Sequence, residues 1–168
     1  VLIQTMYDSA LPKEGEALDE LLRRIGKLNA MGCDIIRFSY PSRDDQASFS
    51  YICKRSPIPV VADTHFDYQL ALDAIACGCQ KIRINPGNIG ARWKVDEAVK
   101  SAKDHNVAIR IGLNSGSLPK GNDPVPTLMC NTALTYLSWF EQAHFYNTVV
   151  SLKASDTEVT LEANRLFA

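Results

Sequence analysis

Residues 81–85 read KIRIN, and residues 108–114 read AIRIGLN. In both stretches apolar residues alternate with arginine. Because successive side chains of a strand point to opposite faces, one face of each strand is apolar and the other carries cations. A parallel sheet covered by helices on both faces has nearly continuous Val, Ile and Leu in its strands instead. The pattern therefore favours a sheet with helices on one face and a polar lumen on the other.

Strand-like and helix-like segments alternate along the rest of the chain. Predicted strands cover residues 1–6, 34–40, 59–63, 81–85, 107–113 and 148–154, and predicted helices cover 14–31, 44–55, 67–76, 94–105, 127–142 and 158–167. This order predicts a parallel sheet with right-handed crossovers. An open doubly wound sheet would hold six βα units, whereas a closed barrel needs eight and about 250 residues. Because the inner face is polar, we predict an α/β fold of the TIM-type (β/α)8 barrel class, truncated here to about six βα units. The prediction treats residues 1–168 as one domain.

Composition excludes several classes of protein. The 168 residues contain 18 Lys+Arg and 19 Asp+Glu, so the basic excess typical of nucleic-acid and membrane-surface binders is missing. No apolar run approaches the ~20 residues of a membrane span, and nothing resembles a secretory signal. Five cysteines without regular spacing indicate a reducing compartment, so we expect a cytoplasmic protein, or a stromal one in a plastid. The chain begins at Val1 and ends within a predicted helix, which suggests a piece of a longer protein.

Cations collect at the carboxyl ends of the predicted strands. Arg37, Arg83, Arg110 and Lys153 lie on four strands, and His65 follows a fifth. In a parallel barrel these ends meet at one mouth, where active sites form. Buried cations need counter-charges, and the strands supply only Asp34 and Asp63. A ligand with two or more anionic groups, such as a diphosphate, would supply the rest, since arginine binds phosphate through paired hydrogen bonds. Alternatively, each arginine only pairs with a carboxylate on a neighbouring loop.

Two loops rich in glycine, asparagine and serine follow the fourth and fifth strands. They read NPGNIG at 85–90 and GLNSGSL at 112–118. Such loops bring backbone N–H groups close to an anion, although they are also ordinary turns. Neither loop matches a P-loop or a dinucleotide fingerprint, which disfavours nucleoside triphosphates and NAD.

The remaining chemistry-bearing residues give weaker indications. No histidine cluster surrounds His65, so a phosphate contact or a proton donor is a better interpretation than a metal ligand. Asp63 could orient His65, hold a substrate hydroxyl, or only neutralise Arg37 or Arg83. Cys77-Gly78-Cys79 has no second cysteine pair at metal-ligand spacing, so the cysteines are predicted to be packing residues and no metal site is expected in this chain.

Six segments, taken in order, resemble the family of 4-hydroxy-3-methylbut-2-enyl diphosphate synthases (GcpE). They are VLIQTM at 1–6, GCDIIR at 32–37, VADTHFD at 61–67, KIRINPGNIG at 81–90, IRIGLNSGSL at 109–118 and VSLKASD at 150–156. The resemblance runs from Val1 to Ala168, and the segments of the fourth and fifth strands are the most specific.

The resemblance implies an enzyme of isoprenoid biosynthesis by the methylerythritol phosphate pathway. Such an oxidoreductase converts 2-C-methyl-D-erythritol 2,4-cyclodiphosphate to 4-hydroxy-3-methylbut-2-enyl diphosphate with two electrons from ferredoxin or flavodoxin. A separate domain carries a 4Fe-4S cluster and caps the barrel of the other subunit in a homodimer. By motif position the diphosphate ligands would be Arg37, His65, Arg83, Arg110, Asn114 and Lys153. Asn85 and Asp63 would line the same mouth, and Asp63 and His65 are the candidate catalytic groups.

The chain also departs from the family pattern. The last two βα units of a closed barrel and the cluster domain are not represented, and no Cys-Pro-x-Cys-like motif occurs. We therefore expect this segment to bind the diphosphate, to hold no cofactor, and to be inactive alone. Two alternatives remain: a non-catalytic module that binds a small diphosphate, and another phosphate-handling barrel enzyme, such as a dihydropteroate synthase-like transferase. The latter is disfavoured because the fourth- and fifth-strand segments do not match.

Overall fold

The strands of the sheet lie side by side in chain order. The computed structural model describes residues 1–64, 67–118 and 121–168. Its strands are β1 Gln4–Tyr7, β2 Ile35–Ser39, β3 Val60–Asp63, β4 Lys81–Ile84, β5 Ala108–Asn114 and β6 Thr148–Lys153, all parallel and paired in that order. A doubly wound sheet would reverse its strand order at a switch point. The unreversed order produces a curled half-barrel, as the alternating strands predict.

The helices form one layer outside this sheet. They are α1 Gly15–Ala30, α2 Gln46–Arg55, α3 Tyr68–Ala76, α4 Pro86–Ile89, α5 Arg92–Asp104, α6 Val125–Gln142 and α7 Thr157–Phe167. Neighbouring long helices contact one another in chain order from α1 to α7. Right-handed crossovers between strands in sequential order place every helix on the same face of the sheet, and these contacts agree with that arrangement.

Local sequence features set the helix ends. The carboxylate of Asp67 accepts a hydrogen bond from the backbone N–H of Gln69 at 2.9 Å and so caps α3, while Asp156 caps α7 in the same way. Gly32 and Gly78, which follow α1 and α3, have φ values of +95° and +92°, a backbone conformation that side chains disfavour. The four-residue helix α4 was not predicted. None of the helices in the described part of the chain is long and apolar enough to cross a membrane.

One hydrophobic core lies between the sheet and the helix layer. Ile82 and Ile84 of β4 pack there with Ile109, Ile111 and Leu113 of β5, and each of these side chains is buried. Their strand neighbours of opposite parity face the lumen, so the alternation predicted at residues 81–85 and 108–114 is confirmed.

The register of the sheet arranges the lumen side chains in rows. One row crosses from β2 to β6 through Ser39, Asp63, Arg83, Arg110 and Val149. Further along β5 and β6, on the same face of the sheet, Gly112 pairs with Ser151 and Asn114 pairs with Lys153. Polar groups of separate strands are therefore neighbours at the end where the strands finish.

Candidate functional site

A polar cavity of about 240 Å³ opens at the carboxyl ends of the strands. It is lined by Met6, Arg37, Asp63, Arg83, Arg110, Gly112, Asn114, Ser151 and Lys153. Four of these side chains are cations and one is a carboxylate, so the described part of the wall carries a formal excess of three positive charges. The structure thus brings together the three arginines and the lysine that were predicted to meet at one mouth.

Asp63 is the counter-charge between two of the arginines. Its carboxylate is almost fully buried, and Oδ1 accepts a hydrogen bond from Nη1 of Arg83 at 3.2 Å. Nε of Arg37 lies 3.7 Å from Oδ2 of the same carboxylate. Of the three roles considered for Asp63, this geometry supports neutralisation of Arg37 and Arg83. Part of the arginine charge is therefore balanced within the protein, by a strand residue and not by a loop.

Arg83 is held on both sides. Besides its bond to Asp63, it donates from Nη2 to the carbonyl oxygen of Gly112 at 3.0 Å, and the residue is only 6% exposed. A Cβ at position 112 would collide with Nε of Arg83. The glycine therefore leaves room for the guanidinium to lie across β5.

Arg110 and Arg37 keep unsatisfied donors. Arg110 donates from Nη2 to the hydroxyl of Ser151 at 2.7 Å, and Arg37 donates from Nη2 to the sulfur of Met6 at 2.8 Å. The Nε groups of both arginines are buried without a hydrogen-bond partner among the described residues. Both side chains line the cavity, so the positive charge that the protein leaves unbalanced there is available to an anionic ligand.

The electrostatic environment is unfavourable to further cations. Burial lowers the pKa of Arg110, and the charges of Arg37 and Arg83 lower it further, while Asp63 opposes the effect. Burial also lowers the pKa of Lys81, which shares the lumen face of β4, with additional contributions from Arg110 and Arg37. A bound polyanion would relieve this repulsion.

The structure places two of the other predicted site residues at the rim of the cavity and a third outside its lining. Asn114 and Lys153 lie exposed at the rim of the cavity. Asn85 is buried, is not among the lining residues, and accepts a hydrogen bond at Oδ1 from the Ser117 hydroxyl at 3.1 Å. It thereby ties the end of β4 to the turn after β5. His65 lies outside the described residues.

Sequence reasoning did not identify Met6 and Ser151 as site residues, and it included Gly112 only within the candidate anion loop at 112–118. Ser151 and Gly112 have the parity of the lumen face on β6 and β5, which was the available indication. Their roles as partners of Arg110 and Arg83 depend on contacts between strands, which parity alone does not specify.

The cysteines do not form a metal or cluster site. In the ranges 1–64, 67–118 and 121–168 no group of three or more His, Cys, Asp or Glu side chains could hold a metal ion. Cys33, Cys77, Cys79 and Cys130 lie in the hydrophobic core with Cys53 packed against it, and burial raises the pKa of Cys79 to about 12. The described residues therefore do not fit an iron–sulfur cluster, and the cysteines act in packing as predicted.

Lys81→Met is expected to stabilise the unliganded protein at neutral pH. Because the pKa of Lys81 is lowered from 10.5, the unfolded chain binds more protons than the folded one as this amine titrates, and stability rises with pH. The gain should be about 1 kcal/mol or less, roughly 2–4 °C in the unfolding midpoint. It should shrink as the amine deprotonates and vanish above the ordinary lysine pKa. Thermal unfolding of both proteins between pH 7 and 11 measures this, and a gain independent of pH would contradict it.

Comparison with known proteins agrees with the fold and the segments described above. A family model described as "GcpE TIM-barrel domain" matches residues 1–168. A relative from Natranaerobius thermophilus is 40% identical over 173 residues, covering 100% of this chain and 48% of the relative. Another from Maridesulfovibrio salexigens is 45% identical over 150 residues, covering 86% and 42%. Both are named 4-hydroxy-3-methylbut-2-en-1-yl diphosphate synthase (flavodoxin).

Solved structures show the same architecture at low sequence identity. Dihydropteroate synthase from Xanthomonas albilineans superposes with a TM-score of 0.64 at 12% identity, covering 98% of this chain and 64% of that structure. The Yersinia pestis enzyme gives 0.62 at 12% identity, covering 89% and 56%. These likenesses show the fold alone. The chain spans slightly less than half the length of the two curated relatives. Because the family model matches over its whole length, the chain belongs to the GcpE TIM-barrel domain family.

Proposed function

We propose that this chain is the diphosphate-binding barrel of a 4-hydroxy-3-methylbut-2-enyl diphosphate synthase. The substrate would be 2-C-methyl-D-erythritol 2,4-cyclodiphosphate, and the electron donor would be flavodoxin, as in the names of the relatives, or ferredoxin. One observation carries the proposal: among the described residues the cavity wall has an excess of three positive charges, and the Nη2 groups of Arg110 and Arg37 meet neutral partners there. A diphosphate offers both the negative charge and the acceptors.

In this proposal the barrel binds and orients the substrate. Arg110 and Arg37 donate to phosphoryl oxygens from the cavity wall, and Lys153 and Asn114 close over the anion from the rim. Arg83 contributes charge while its donors hold the wall together. His65 and Asp63 remain the candidates for proton transfer, His65 on its motif position alone. Fixing the anion in this way removes the entropic cost of alignment from the chemical step.

The other parts of the proposal concern the intact protein. The described residues offer no ligand set for the 4Fe-4S cluster, which would be held by another part of the intact protein. The homodimer, the separate cluster domain and the cytoplasmic or plastid location follow from the family resemblance and remain proposals.

The binding proposal is tested by calorimetry with the intact protein. Inorganic pyrophosphate is expected to bind at least about tenfold more tightly than orthophosphate, because it engages more of the cations at once. Affinity should also fall with added salt, since these charges are partly exposed to solvent. Equal affinities for the two anions, or no binding of either, would contradict the proposal. Competition by a pterin diphosphate but not by pyrophosphate would favour a dihydropteroate synthase-like transferase instead.

If residues 1–168 only bind the substrate, turnover should differ between this segment and the intact protein. Residues 1–168, supplied with the cyclodiphosphate and reduced flavodoxin, are expected to form no 4-hydroxy-3-methylbut-2-enyl diphosphate. The intact protein should form it under the same conditions, as measured by chromatography of the product. Turnover by residues 1–168 would contradict the assignment of this segment to binding alone. An intact protein that binds pyrophosphate but never turns over would identify a non-catalytic diphosphate-binding module.

A further inference from the structure

We propose that Gly112 and Arg83 are a positioning pair for the anion site. The missing side chain at Gly112 admits the guanidinium of Arg83 over β5, and this placement fixes Arg83 between Asp63 and the Gly112 carbonyl. The inference rests on the proposed function, because it concerns how the diphosphate-binding wall is kept in shape.

Arg83 and Arg110 occupy positions at which their positive charges should repel each other. Arg83 and Arg110 are direct partners in the register of β4 and β5 and point into the same lumen. Like charges directly opposite each other in a sheet are destabilising. Extended straight into the lumen, the two guanidinium groups would compete for the same space and for the single carboxylate of Asp63.

Each arginine instead reaches one strand further and one row nearer the mouth. Arg83 on β4 binds the carbonyl oxygen of Gly112 on β5, and Arg110 on β5 binds the hydroxyl of Ser151 on β6. Gly112 and Ser151 are themselves partners in register. The two side chains therefore reach across the sheet in the same direction, and each is held by a different partner.

This arrangement requires that residue 112 of β5 has no side chain. Besides the collision with Nε, a Cβ at residue 112 would stand 3.2 Å from both Cζ and Nη2 of Arg83. Arg83 cannot simply move aside, because Asp63 holds Nη1 and the residue is buried. Any side chain at residue 112 would push the guanidinium towards Arg110 or away from Asp63.

A double-mutant cycle on the intact protein tests the pair, with inorganic pyrophosphate as the probe. Gly112→Ala should weaken pyrophosphate binding at least about tenfold, because displacing Arg83 weakens a charge-assisted contact with the anion. In an Arg83→Ala background, where nothing occupies the space over β5, the same substitution should change affinity less than about twofold. Arg83→Asn serves as a second background, because its side chain also ends before the Nε position. Gly26→Ala on α1, where a Cβ meets nothing within 4 Å, is the matched control and should leave affinity unchanged.

The outcomes separate this inference from the function on which it rests. A purely structural glycine would lower the unfolding temperature in every background, while the folded protein kept its affinity. If Gly112→Ala reduced pyrophosphate affinity equally with and without Arg83, the positioning pair would be overturned. The proposed diphosphate site would not be affected by that result. Absence of pyrophosphate binding by the parent protein would overturn both.

Discussion

Arg110→Ala is expected to weaken pyrophosphate binding by about 1.5–3 kcal/mol, or roughly 10- to 150-fold, because charge-assisted hydrogen bonds to the ligand are lost. Among the arginines in the described part of the cavity wall, Arg110 is the one that donates to a neutral hydroxyl, that of Ser151. Its buried Nε has no acceptor among the described residues. The charge of Arg110 is thus available to a ligand, and calorimetric titration of the variant measures its contribution.

The same substitution should leave the fold intact. Burial and the neighbouring arginines lower the pKa of Arg110, so the folded protein disfavours its charge, and removing the charge should not reduce the unfolding temperature. Arg23→Ala on the exposed face of α1 is the control for loss of an arginine far from the cavity, and it should retain parental affinity. Unchanged binding by Arg110→Ala would count against both the synthase and the binding-module interpretations.

The alternation at residues 81–85 and 108–114 predicted correctly which side chains face the lumen. The face to which each side chain of a strand points alternates along the chain, so it can be predicted from the local sequence alone. The strand order followed from the same alternation, because short βα connections join neighbouring strands. The predicted meeting of Arg37, Arg83, Arg110 and Lys153 required nothing beyond these two rules, and the cavity confirms it.

The partners of those residues were beyond prediction. Whether Asp63 binds Arg37, Arg83 or His65 depends on the register of β3 against β2 and β4, which no local pattern specifies. Gly112 was predicted both within a strand and at the start of an anion-binding loop, but its significance comes from the side chain of Arg83, which neither pattern specifies. Asn85 has lumen parity, but parity does not specify its contact with Ser117 in the turn after β5. Sequence reasoning found the charges but not the contacts that orient them.

Asp63→Asn is expected to reduce the free energy of unfolding by about 3–5 kcal/mol. The substitution leaves two arginines facing each other without the buried carboxylate that now lies between them, and removal of one partner from a buried ion pair carries a cost of this order. In a chain of this size the unfolding midpoint should fall by roughly 6–20 °C. Asp96→Asn, which breaks an ion pair with Arg92 on the surface, is the control and should cost about 1 kcal/mol or less.

Pyrophosphate should compensate for the lost carboxylate, and this response separates a counter-ion from a proton donor. A ligand stabilises the folded state in proportion to its affinity, so the rise in midpoint at a fixed pyrophosphate concentration reports binding. Without Asp63 the cavity has one more unbalanced positive charge, and the rise should be larger in Asp63→Asn than in the parent protein. A smaller rise would mean that the anion does not reach Arg37 and Arg83. A variant as stable as the parent would show that Asp63 is not their counter-ion, and its role in proton transfer would then become the better interpretation.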